Sequence, residues 1–106
     1  MTAPQSFESL QSNVIQWALD RGIVQNSNPR AQLLKMFSEA GELADGEAKG
    51  RLDDIEDAIG DVAVCLIIYC HFYGLTVPKC LEAAWHEIKD RKGYMIEGGV
   101  FIKEET

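Results

Sequence analysis

Hydrophobic positions at the start of the chain recur every three or four residues. Phe7, Leu10, Val14, Trp17 and Ala18 form one stripe, which predicts a helix. Ser6 stands at its N-cap, Glu8 lies in its first turn, and Gly22 closes it. Asn28-Pro29 reads as an N-cap followed by proline at the first helical position, opening a second helix over about residues 29–48. Its apolar stripe is Leu33, Phe37, Ala40 and Ala44, widened by Met36 and Leu43. After a turn at Lys49-Gly50, Asp53 and Glu56 read as a capping box for a third helix that runs to about residue 73. From residue 62 this helix is apolar nearly all round (VAVCLIIYCHFY), so it must be buried on most sides. Gly74 closes it. Thr76 caps a fourth helix with Pro78 in its first turn and Leu81, Ala84, Trp85 and Ile88 on its apolar face; Gly93 ends it. Two short apolar runs around Gly98-Gly99 predict a small hairpin.

These elements predict an all-α fold, a four-helix bundle with a short C-terminal hairpin, as one domain over residues 1–106 with no linker or repeat. A domain of this size buries roughly 60–70% of its unfolded surface. One partner helix cannot cover residues 62–73, so a subunit interface is expected, in a homodimer or homotetramer. The net charge of −7 argues against a nucleic-acid partner, which needs a basic footprint. The cysteines, Cys65, Cys70 and Cys80, are odd in number and lack a CxxC pair. That argues against a disulfide framework or a thiolate zinc site and points to a reducing cytoplasm, with Cys65 and Cys70 as small core residues. The stretch MTAPQSFESL is neither basic nor apolar enough for a secretory signal, and residues 62–73 are too few to span a bilayer, so no membrane partner is expected.

Charge patterning adds the chemistry. Glu39 and Glu42 are three apart and share a helix face; Asp54, Asp57 and Asp61 form a second stripe on the next helix. Acidic stripes are commonly solvated faces, but two of them facing each other across a helix pair repel unless a cation sits between. All-carboxylate donors suit a hard divalent ion. Gly41 and Gly60 each cost roughly 1 kcal/mol inside a helix, which predicts close helix approach beside the carboxylates. Asp53, as a cap, is not counted as a ligand, and Asp54 fits the acid preference of any first helical turn. Lys35 lies four residues before Glu39, as an ion-pair partner or a phosphate contact. Lys89, Arg91 and Lys92 crowd the last turn of the fourth helix, where they complement its dipole or bind phosphate. Trp17 is a core or interface residue, or a platform for a base. His71 reads as a buried histidine rather than a ligand.

The segment SEAGELAD followed by DAIGDVAV resembles the metal motif of MazG-like nucleotide pyrophosphohydrolases, members of the all-α NTP pyrophosphatase superfamily. The tail EIKDRKGYMIEGGVFIK is similar to that of small, single-domain, phage-type members, and the likeness runs from VIQWALDRGI to the end. The family pattern is EExxE, a spacer, then ExxD. Glu39 and Glu42 match its second and third glutamates and Asp61 its final aspartate. Ser38 stands at the first glutamate, and Ala58 stands where a ligand glutamate is expected; Asp57, four before Asp61, is the substitute. The resemblance implies Mg²⁺-dependent hydrolysis of a nucleoside triphosphate to a monophosphate and pyrophosphate, with Mn²⁺ as a replacement ion. It implies metal binding by Glu39, Glu42, Asp57 and Asp61, and a catalytic set of Glu39, Glu42 and Asp61, with Glu39 accepting the water's proton. Substrate contacts would be Lys35, Lys89, Arg91 and Lys92 to phosphate and Trp17 to the base. Ser38 and Ala58 keep a rival open: a catalytically degenerate acidic helical module that binds nucleotide or a protein partner. A di-iron bundle is excluded, since Ile68 and Ala83 stand three before His71 and His86, and no EF-hand loop is present.

Overall fold

Ser6, Asn28 and Thr76 each open a helix by accepting a hydrogen bond from a backbone N–H three residues on, from Ser9 at 3.1 Å, Ala31 at 2.9 Å and Lys79 at 3.3 Å. In the computed structural model, which describes residues 4–105, these caps start α1 (Phe7–Asp20), α3 (Pro29–Lys49) and α5 (Val77–Ile88). Residues 1–3 and 106, the ends of the expected domain, lie outside the described residues. Between α1 and α3 the chain makes one further turn of helix, α2 (Ile23–Asn26), which the periodicity did not predict. Gly22 starts it in the left-handed region, and the Asn26 side-chain amide donates back to the Gly22 carbonyl at 2.8 Å.

The long α4 (Leu52–Phe72) follows the Gly50 turn. The expected capping box does not form. The helix begins at Leu52 with Arg51 in the cap position, so Asp53 is already inside the first turn and has no free N–H ahead of it to cap. Instead Arg51 pairs with Asp54 at 2.9 Å. At the other end α5 stops at Ile88, not at Gly93. Gly93 begins β1 (Gly93–Ile96), which pairs antiparallel with β2 (Val100–Lys103) from Gly93↔Lys103 to Ile96↔Val100. Glu104 donates its N–H to the Lys92 carbonyl at 2.8 Å, so hairpin bonding reaches residue 92 and takes it out of the helix. Lys89, Arg91 and Lys92 therefore follow α5 rather than crowd its last turn.

α4 is the hub: α3 runs back along it, and α1 and α5 both pack on it. Residues 62–73 are accordingly covered in large part within one chain, with Cys65, Ile67, Ile68 and Cys70 buried and His71 half-buried. Two polar residues, Gln11 and Gln32, are buried as well. Gln11 of α1 is 8% exposed, and its side-chain oxygen accepts from the Val77 N–H at the start of α5, 3.2 Å away. No single helix among the described residues is long and apolar enough to cross a membrane.

Gly41 and Gly60 are not the points of close approach: a Cβ at either would meet nothing within 4 Å. The contact is at Gly46, where a Cβ would lie 3.2 Å from Ile55 Cγ1 and 3.3 Å from the Ile55 nitrogen. Gly41→Ala and Gly60→Ala are therefore expected to stabilise the fold by up to about 1 kcal/mol each in urea denaturation, through helix propensity alone. Gly46→Ala should give no such gain, because α3 and α4 must separate to admit the methyl group.

Candidate metal centre

α3 carries Glu39 and Glu42 one turn apart, and the Gly46 contact fixes the register of α3 against α4. In that register one carboxylate oxygen each from Glu39, Glu42 and Asp61 lies within 4.8 Å of the others. Glu39 is half-buried, and its Oε2 is shielded from solvent with no hydrogen-bond partner. A hydrogen bond to Glu42, loss of hydration, and the charges of Glu42 and Asp61 together raise the Glu39 pKa, and Lys35 opposes them. Beneath the cluster, burial pushes the Cys65 thiol up; Lys35 lowers it, and Glu39 and Asp61 raise it further. A buried carboxylate oxygen without a donor is what a hard cation would satisfy, and three carboxylate oxygens suit Mg²⁺ or Mn²⁺. The residues present fit a divalent ion.

Asp57 is outside this cluster. It borders two depressions: one of about 230 Å³ shared with Glu42, Asp45, Gly46 and Ala58, and one of about 610 Å³ shared with Glu56, Gly60 and Asp61. Ala58 is buried between the helices, and Asp54 is held by Arg51. Lys35 lies close enough for its charge to act on Glu39 and Cys65. Arg91 and Lys92 line a separate depression with Lys103 and Glu104, and Arg91 approaches Glu87 at 3.8 Å. None of Lys89, Arg91 and Lys92 borders the acidic depressions of the same chain, and neither does Trp17, which is 46% exposed on α1. The sequence reading missed Gly46 and Asp45; the signal available was a second glycine in the same helix, four residues after Glu42.

No protein-family model matches the chain. Over 61 residues it is 44% identical to an uncharacterized 18.2 kDa protein from the rep-hol intergenic region of Haemophilus phage HP1, a match spanning 58% of this chain and 37% of that protein. Among solved structures it is similar to the MazG-like pyrophosphohydrolase of cyanophage S-2L, which is bound to dGDP and three catalytic Mn²⁺ ions per active site. That likeness has a TM-score of 0.75 at 19% identity and covers 99% of each chain. Five helices, with α4 central, and a C-terminal hairpin thus give this chain the all-α fold of the MazG-like pyrophosphohydrolases.

Proposed function

We propose that the chain is a single-domain, Mg²⁺-dependent nucleoside triphosphate pyrophosphohydrolase of the cytoplasm, releasing a monophosphate and pyrophosphate, with Mn²⁺ able to replace Mg²⁺. The observation that carries this is the Glu39, Glu42 and Asp61 cluster with its unpartnered buried oxygen. The fold shared with a nucleotide-bound, Mn²⁺-bound pyrophosphohydrolase supports it. A bound ion would neutralise the triphosphate and lower the pKa of a water positioned for attack at phosphorus. Glu39, Glu42 and Asp61 hold it, with Asp57 as the outer ligand. Glu39 also takes the water's proton. Lys35 neutralises phosphate charge one turn away on α3; Lys89, Arg91 and Lys92 are further phosphate contacts, and Trp17 is the base platform.

We also propose that the protein works as a dimer or tetramer. Its radius of gyration is 16.8 Å, against roughly 13 Å for a compact domain of about 100 residues. Phe37 and Ile59 are 62% and 54% exposed. Each precedes a clustered carboxylate by two residues, which at about 100° per residue sets them on the far side of their helices from the acids. A second copy packed on the far face of either helix would cover apolar surface and leave the acids accessible. Sedimentation is expected to give a dimer or tetramer at micromolar concentration; a folded monomer there would refute it.

Incubation with Mg²⁺ and a panel of nucleoside triphosphates, deoxyguanosine nucleotides included, should release pyrophosphate. Tight nucleotide binding without products would instead mark a degenerate binding module, the reading that Ala58 favours. Glu39→Gln and Asp61→Asn are expected to weaken Mg²⁺ binding and abolish hydrolysis while leaving the metal-free protein no less stable. Trp17→Ala should raise KM more than it lowers kcat. The metal-free protein has its own pH signature. A carboxyl that binds its proton more tightly folded than unfolded stabilises the fold while protonated, so stability falls as pH rises from the ordinary carboxylate range through the raised Glu39 value. Urea titrations in chelator should show that fall, and Glu39→Gln should flatten it.

A further inference from the structure

The corner between α4 and α5 is pinned on both sides. Gly74 takes positive φ at the end of α4, where the Leu75 N–H returns to the Cys70 carbonyl at 3.0 Å and the Gly74 N–H to the His71 carbonyl at 3.2 Å. Thr76 then caps α5 at once, and Gln11 of α1 accepts from the Val77 N–H. The two helices leave this corner 96° apart, so they meet only near it, and no residue of α5 is buried. Each helix brings a cysteine to the corner. Cys70 lies in the last turn of α4 and is 8% exposed; Cys80 lies in the first turn of α5 and is exposed; both thiols are free. The two side chains interact directly. Burial pushes the Cys70 thiol up, and the charge of Cys80 and a hydrogen bond between the two side chains push it further. The third cysteine, Cys65, is sealed beneath the acidic cluster. The three thiols thus differ in kind: Cys80 is open to solvent, Cys70 stands directly behind it, and Cys65 is shut away. An accessible thiol beside a second one is the arrangement in which a disulfide closes by exchange.

We infer that Cys70 and Cys80 form a reversible disulfide that fastens α5 to α4, made by exchange with a small-molecule disulfide. The Cys80 sulfur attacks one sulfur of the small disulfide and breaks its S–S bond. One small thiol leaves with the proton that Cys80 gave up, and a mixed disulfide stays on Cys80. The Cys70 sulfur then attacks the Cys80 sulfur and expels the second small thiol, which takes the Cys70 proton. Two protein thiols are oxidised and one small disulfide is reduced to two thiols, so atoms and electrons balance. This is one closable bridge, not a structural framework, and in a reducing compartment such bridges are transient and respond to oxidation. The clamp holds α5, and the cations Lys89, Arg91 and Lys92 that follow it, to the helix that carries Asp61. It needs neither the metal centre nor turnover.

The test treats the whole chain with oxidised glutathione, blocks the remaining thiols with N-ethylmaleimide, and reads intact and peptide masses. The wild type is expected to end with one blocked thiol, no glutathione, and a peptide linking residues 70 and 80; dithiothreitol should restore all three thiols. Its thermal midpoint should rise by roughly 10 °C on oxidation and fall back on reduction, because the bridge closes a short loop. Cys70→Ala keeps a small apolar side chain in the core, and it should stop at glutathione held on Cys80. Cys80→Ser should take up no glutathione, since both remaining thiols are buried. Cys65→Ala should close as the wild type does. A wild type that stays reduced, that ends with glutathione still attached, or that links pairs of chains on a non-reducing gel would each overturn the inference. So would a Cys80→Ser protein that reacts as fast as the wild type.

Discussion

The contact of α3 with α4 at Gly46 sets everything else in this protein. A glycine there lets the backbone of one helix meet Ile55 and Asp54 of the other. Helix pairs separated by full side chains stand 8–10 Å apart, a distance that side-chain size sets. The short turn at Gly50 leaves little freedom for sliding, so a close contact four residues after Glu42 fixes the register for the whole pair. Glu39 and Glu42 then arrive opposite Asp61, and Cys65 is sealed beneath them.

That register concentrates negative charge where hydration is already reduced. Glu39 answers by sharing a hydrogen bond with Glu42 and holding its proton more tightly, and Lys35 offsets part of the repulsion. The arrangement is a poor one for bare carboxylates and a good one for carboxylates around a cation. Strain of this kind is common where a ligand completes a site, because the ligand removes the repulsion that the fold cannot remove by itself.

The rest of the chain is arranged around α4. Three helices cover much of its apolar second half, and most of the exposed apolar surface lies elsewhere, at Leu34, Phe37, Ile59 in the first half of α4, Leu81, Trp85 and the hairpin. A two-stranded hairpin is marginal alone in water, and nearly every residue of this one is exposed.

The sequence by itself determined the local structure. Ser6, Asn28-Pro29 and Thr76 start helices because their side chains satisfy N–H groups within three residues, and Gly98-Gly99 turns the hairpin because both adopt positive φ. Those interactions reach no further than one turn. The spacing of Glu39 and Glu42 was legible for the same reason. Only the tertiary structure decided that Asp61 joins them and Asp57 does not, that Gly46 and not Gly41 or Gly60 is the contact, and that Arg91 and Lys92 line a different depression from the acids. It also decided that Arg51 takes Asp54 and that Asp53 caps nothing. Each of these depends on helix register and on where a helix yields to its neighbour. Those are set by contacts between residues distant in the chain, which a pattern of three and four along one helix does not encode.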